Sequence, residues 1–201
     1  MTALPSLSEL RALVRATARQ RLLERFSAVQ HHAVKDDGSL VTEVDHAVQG
    51  SLQAELARRW PQYGCLGEEE RGAEHARLAA MTAGGLWCLD PLDGTSNYAA
   101  GVPFFAVSLA LLIDGRPALG LVYDPVRDEC FMARRGGGAW LNDASLSLAT
   151  TSAREMRRSI ACVDFKRLQP QLAARLAAQP PYGSQRNFGA SSLEWCWLAD
   201  G

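Results

Sequence analysis

The sequence predicts a mixed α/β protein. Two stretches near the N-terminus space their apolar residues at helical intervals. The middle third alternates short apolar runs with turn signals, and beyond Thr150 strand-like and helix-like runs take turns.

The first stretch, from about Leu7 to Gln30, places Leu10, Leu13, Val14, Ala18, Leu22 and Phe26 on one helical face. The polar loop KDDGS follows. Thr42 then opens a second amphipathic helix that carries Val44, Val48, Leu52 and Leu56 and stops before Pro61. YGCLG reads as a short strand ending at Glu68-Glu69-Glu70, and an alanine-rich helix from about Ala73 to Met81 leads to a second buried strand, LWCLD. FFAVSLALLI, PALGLVYD and ECFMARR read as an antiparallel meander, with Asp114-Gly115 as a tight turn. Further on, RSIACVDF and GSQRNFG read as strands, LQPQLAARLAAQ and SSLEWCWLAD as helices. The expected organisation is an N-terminal α+β half over 1–150, with the helix pair, the meander and the acidic motifs. The start of a C-terminal α/β half follows over 151–201.

The chain has 201 residues and is 47% hydrophobic, enough for one substantial core or two small ones. Its net charge is −1 and its basic residues are scattered, which excludes an electrostatic footprint for nucleic acid. The densest basic cluster, Arg154, Arg157 and Arg158, reads as a solvated helix end. No apolar run approaches the roughly 20 residues of a membrane span. The N-terminus is amphipathic and lacks a signal-peptide core, while Glu9 and Glu24 count against a transit peptide. The five cysteines form no C-x-x-C pair and sit mostly among apolar neighbours, as reduced core residues do. The expectation is a cytoplasmic protein with neither membrane nor nucleic acid as a partner.

The stretch WCLDPLDGTSNY sets Asp90 and Asp93 around a proline at the end of an apolar run. Unpaired, the two charges repel, and burying either is costly, so a cation between them would explain the pattern. Asp90 closes a strand, where side chains reach the crevice at its carboxyl end. Pro91 fixes its own φ and has no N–H, which favours a sharp turn directly after the strand and folds Asp93 back towards Asp90. Gly94 and Thr95 open a helix whose unpaired N–H groups suit an anion. Carboxylates for a cation and amides for an anion in one loop fit a metal-bound phosphate. The same residues also read as an ordinary turn, with Asp and Gly present for their turn chemistry.

Glu68-Glu69-Glu70 gathers negative charge at a comparable strand end. A solvated acidic loop is the plainer reading and holds for Glu70. Glu68, nearest the strand, is the ligand candidate, with Glu69 as its supporting neighbour. Asp45 fits a capping box with Thr42 as N-cap, and a carboxylate there could also orient a water. Oxygen-donor acids without a His/Cys cluster point to Mg²⁺ before Zn²⁺, and His31 and His32 read as surface residues. Paired divalent ions about 3.5–4 Å apart would suit in-line attack of water on a phosphate.

LGEEE, WCLDPLDGTSNYAAGVPFFAVSLALL and GLVYDPVRDECFMARRGGGAWLN strongly resemble the inositol monophosphatase family. KDDGSLVTEVD is similar to its early loop and NFGASSLEWCWLADG to its later glycine loop and helix. The Asp-Pro-Leu-Asp-Gly-Thr motif is specific; GEE or VTEVD alone would be weak. The resemblance implies a layered α/β sandwich, a homodimer and Mg²⁺ as cofactor. It implies Glu68, Asp90, Asp93 and the Leu92 carbonyl as metal ligands, with Thr95 and Asp45 holding and activating the attacking water. It assigns the phosphate to the Gly94 and Thr95 amides and the polyol side to Gly189, Ala190 and Ser191, with Asp93 also facing the substrate. It makes RRGGGAW a tight hairpin; no helix follows it, as a phosphate-cradling P-loop would need. The implied reaction is hydrolysis of a small polyol phosphate, inositol monophosphate first. Histidinol phosphate, 3'-phosphoadenosine phosphate, fructose bisphosphate and a non-catalytic metabolite-binding relative are the alternatives.

One departure matters. The family carries a W-D-x-A motif with a further metal-binding aspartate after the helix matching Ser191–Ala199, and Gly201 precedes any such motif. The native chain is therefore expected to continue, with Gly201 closing the last helix and the C-terminal half incomplete.

Overall fold

The computed structural model describes residues 4–26, 32–34, 40–68, 84–147 and 155–200, and of 32–34 and 40–42 the backbone path alone. The expectations for Glu69, Glu70, the Ala73 to Met81 helix, the KDDGS loop, Arg154, Gly201 and the side chains of His31, His32 and Thr42 lie outside the described residues.

Helix α1, Leu7–Arg21, buries Leu10, Leu13, Val14 and Ala18 as its periodicity demands. It ends well before Gln30. A 3-10 turn, Leu23–Arg25, tightens the chain instead, and the buried Tyr98 hydroxyl donates to the Leu22 carbonyl at 2.8 Å. The same carbonyl also accepts the Arg25 N–H at 3.2 Å, the i→i+3 bond of the tighter turn. Helix α2, Glu43–Arg59, buries Val44, Val48, Leu52 and Leu56, and beside that row Asp45 and Gln49. Strands β1, His32–Val34, and β2, Leu40–Thr42, form a small antiparallel hairpin before it.

Among the described residues seven strands make the main sheet, in the order β3-β4-β5-β6-β7-β8-β9. They are Gly64–Gly67, Leu86–Asp93, Ala106–Ile113, Arg116–Asp124, Glu129–Arg134, Gly138–Leu141 and Ala144–Leu146. β3 and β4 run parallel; the rest is the expected antiparallel meander. Asp114 (φ 51°) and Gly115 (φ 69°) both take the left-handed conformation that a two-residue hairpin turn requires. Alternate residues, Trp87, Leu89, Val107, Leu109, Leu111, Leu119, Leu121 and Tyr123, face α1 and α2 and build the larger core. The opposite face carries a smaller cluster of Phe104, Ala106, Phe131, Ala190 and Leu193.

The C-terminal segment is the strand–helix alternation the sequence predicts. β10, Ile160–Cys162, pairs in parallel with β11, Ser184–Arg186, and helix α4, Pro170–Ala178, crosses between them. The last helix, α5, Ser191–Asp200, lays Leu193 onto the sheet face opposite α1 and α2 while Trp195 and Leu198 stay exposed. The short helix α3, Thr95–Ala99, follows β4. None of the five cysteines is in a disulfide; Cys130 is buried as expected of a core residue, whereas Cys162 is exposed. No helix among the described residues is long and apolar enough to cross a membrane.

Candidate active site

The end of β4 departs from the turn that the sequence suggests. Pro91 does not stop the strand: pairing passes from Asp90↔Ser108 to Asp93↔Ala106. Three steps on β4 thus match two on β5, a bulge that accommodates a proline without a ladder N–H. In a regular strand, residues three apart face opposite sides. The extra residue brings Asp90 and Asp93 to the same face, while Leu92 between them enters the core. The Leu92 N–H donates to Asp90 Oδ1 at 3.1 Å, and the Thr95 hydroxyl donates to the Leu92 carbonyl at 2.9 Å.

Gly67 pairs with Leu89, so the register carries Glu68 alongside Asp90 at the carboxyl end of the parallel pair. Glu68 and Asp90 line one cleft of about 380 Å³ together with Cys88, Ser108 and Ala110. Residues 60–63 link α2 to β3, so the helix runs back along the strands and its N-terminus reaches the same end of the sheet. Asp45 is fully buried in its first turn. One turn on, Gln49 packs so closely on Gly67 that a Cβ there would fall 2.4 Å from its Cδ. Residues i and i+4 share a helix face, which sets Asp45 on the side turned to the end of β3.

Gly94 caps α3 with φ 92°, a conformation that strains any other residue. A Cβ there would lie 3.0 Å from the Phe104 carbonyl and 3.1 Å from Ala190 Cβ. The Gly189–Ser191 segment therefore abuts the Gly94–Thr95 loop. Two further contacts hold it. Asn97 Nδ2 donates to the carbonyls of Phe104 (2.8 Å) and Phe188 (2.7 Å), stapling two loops together. Asp93 Oδ2 accepts from the Ser192 N–H at 2.6 Å and from its hydroxyl at 2.5 Å. Burial pushes the Cys196 thiol up to about 11, the nearby Asp93 charge adding to the shift, so it stays protonated at neutral pH.

The fold thus gathers Glu68, Asp90, Leu92, Asp93, Gly94 and Thr95 at one strand end, with Gly189, Ala190 and Ser191 against them. Among the described residues no three acidic, histidine or cysteine side chains already converge on one point. The donors are nevertheless hard oxygens, which suit a cation of the Mg²⁺ type. Sequence reasoning missed Asn97 and Ser192 as organisers of this region. Asn97 stands inside the acidic motif, which was the available signal. Ser192 gave none, because its partner lies 99 residues earlier.

Nus factor SuhB of Haemophilus influenzae is 34% identical over 181 residues, covering 88% of this chain and 65% of that protein. Inositol-1-monophosphatase of Mesorhizobium japonicum is 40% identical over 134 residues, 66% of this chain and 48% of that protein. The crystal structure of extragenic suppressor protein suhB from Bartonella henselae matches with a TM-score of 0.80 at 25% identity, over 96% of this chain and 74% of that one. The chain spans less than two thirds of the length of the two relatives. The family model described as the inositol monophosphatase family matches residues 6–201, and with the Asp-Pro-Leu-Asp-Gly-Thr loop at the end of β4 and this shared fold, the chain belongs to the inositol monophosphatase family.

Proposed function

We propose that this protein is a Mg²⁺-dependent phosphomonoesterase acting on a small polyol phosphate, with inositol monophosphate as the first candidate. The observation that carries this reading is the pairing of Glu68 and Asp90 in one cleft, with the bulge turning Asp93 to the same side. Glu68, Asp90, Asp93 and the Leu92 carbonyl would hold the cation. Mg²⁺ bound there would neutralise the phosphate and lower the pKa of a bound water.

The rest falls to the chain's own groups. The amides of Gly94 and Thr95, at the opening of α3, receive the phosphate oxygens. The Thr95 hydroxyl, already directed at the Leu92 carbonyl, orients the attacking water. Asp45 takes the proton from that water as general base. Gly189, Ala190 and Ser191, packed on the same loop, line the polyol side with Asp93. Relatives carry the names of both an inositol-1-monophosphatase and a Nus factor, so a non-catalytic role is the second reading. The presence here of Asp45, Glu68, Asp90, Asp93 and Thr95 together favours catalysis.

The test is phosphate release from a panel of inositol, sugar, nucleotide and amino-alcohol phosphates, with and without Mg²⁺. Mg²⁺-dependent release, fastest with an inositol monophosphate, is expected. Preference for histidinol phosphate, 3'-phosphoadenosine phosphate or fructose bisphosphate would move the substrate within the same chemistry. No release from any of them, with Mg²⁺ still bound, would favour the non-catalytic reading. Light scattering on the same sample tests the expected homodimer.

A further inference from the structure

Asp93 is doubly engaged. Both hydrogen bonds it receives among the described residues fall on Oδ2, and both come from Ser192, from its N–H at 2.6 Å and its hydroxyl at 2.5 Å. Two charge-assisted bonds on one oxygen fix the rotation of the whole carboxylate. Oδ1 accepts none among the described residues, so it is the oxygen left for a cation. A single oxygen per carboxylate matches the near-octahedral shell of Mg²⁺.

The other end of the bond is equally placed. Ser192 sits in the first turn of α5, next to Ala190, which lies against Gly94, and Leu193, which is fully buried. Glu194, in the same turn, accepts from the N–H groups of Phe188 (2.6 Å) and Gly189 (3.2 Å). The start of α5 and the loop before it are therefore bonded to each other, and among the described residues two polar ties fasten them to the rest of the fold: Asp93 through Ser192 and Asn97 through the Phe188 carbonyl.

We propose that Ser192 is a positioning residue: it holds Asp93 with Oδ1 presented to the cation, and so couples cation binding at the end of β4 to the docking of α5 and its Gly189–Ser191 loop. This rests on the metal-dependent reading above. A carboxylate fixed beforehand loses no rotational freedom when the cation arrives, and by linkage the cation tightens the clasp in return. Cation and polyol loop are then organised together rather than separately.

Isothermal titration of Mg²⁺ into the intact protein tests it. Ser192→Ala removes the hydroxyl bond and keeps the amide, so Mg²⁺ affinity should fall about 10-fold, the low end of the roughly 10–100-fold cost of losing a ligand's hydrogen-bond partner. Ser192→Thr, which restores the hydroxyl, should recover most of it. Hydrogen exchange on the unmutated protein needs no variant to fold: Mg²⁺ should slow exchange of the amides in 190–194. Exchange that is unchanged or faster with Mg²⁺ overturns the coupling. So does a Ser192→Ala protein that binds Mg²⁺ as tightly as the parent while Asp90→Asn does not, and that outcome leaves the metal reading standing. If the parent protein binds no Mg²⁺, the metal reading and the coupling fall together.

Discussion

Asp90 and Asp93 stand on one face of the sheet, opposite Ser108 and Ala106, because a bulge at Pro91 adds one residue to β4. Their spacing of three would otherwise set them on opposite faces. Two carboxylates so arranged repel each other unless a cation is shared. Asp90→Asn and Asp93→Asn keep the shape and remove the charge. Each is expected to abolish nearly all Mg²⁺-dependent phosphate release and to weaken Mg²⁺ binding. Steady-state kinetics over a Mg²⁺ series checks this; full turnover in either variant would rule out a role for that charge.

Asp45 is a fully buried carboxylate at the start of α2, where a purely structural role competes with catalysis. General-base contributions run to about 10²–10⁴-fold, so Asp45→Asn should lower kcat by something in that range and leave KM close to its starting value. The melting temperature, measured in parallel, separates the two roles. A lowered melting temperature with kcat intact would mean that Asp45 serves the fold alone.

Gly94 answers to two constraints at once, φ 92° and the Phe104 carbonyl 3.0 Å from where a Cβ would stand. Gly94→Ala should therefore cost about 1–3 kcal/mol of unfolding free energy. Gly50, inside α2 with nothing within 4 Å of its would-be Cβ, is the control. Gly50→Ala should stabilise by about 0.5–1 kcal/mol. Urea unfolding of both variants reads the difference in sign.

Arg15 on α1 grips Asp128 at the β6–β7 turn through Nε at 2.6 Å and Nη2 at 2.5 Å, and the Tyr123 hydroxyl adds a bond at 2.8 Å. Hydrogen bonding by Arg15, then by Tyr123, holds the Asp128 carboxyl below the usual carboxylate range. A depressed acid stabilises fully above its unfolded pKa, about 3.9, and the contribution fades as pH falls towards the lower folded value. The Asp128 side chain is 40% exposed, so screening keeps the effect modest. Asp128→Asn should melt below the parent at pH 7, and the gap should close as the pH is lowered from about 4. Asparagine tolerates the φ of 57° at this position, so the backbone is not a second variable. A gap that persists unchanged to pH 2.5 would exclude the ion pair as its cause.

Local pattern made most of the fold legible. The apolar rows of α1 and α2 are buried as their spacing requires, and the Asp114-Gly115 turn and the strand–helix alternation after Thr150 form where expected. The early end of α1 was not legible: the Leu22 carbonyl there takes a bond from Tyr98, 76 residues away, that no local pattern marks. Nor was the bulge: Pro91 reads locally as a stop, and only the pairing with β5 shows how the strand absorbs it. The acidic loop announced itself through an unusual cluster of charges in one short segment. Ser192 and Asn97 act across distant parts of the chain, and no local period or composition marks such bonds.

The most direct measurement is the rate of phosphate release from inositol 1-phosphate as Mg²⁺ is titrated into the chelated protein, with Asp90→Asn run beside it. Activity should be absent without Mg²⁺, rise with its binding and remain near background in the variant at every concentration. Equal release by the chelated parent, or by Asp90→Asn, would contradict a phosphatase built on the carboxylates at the end of β4.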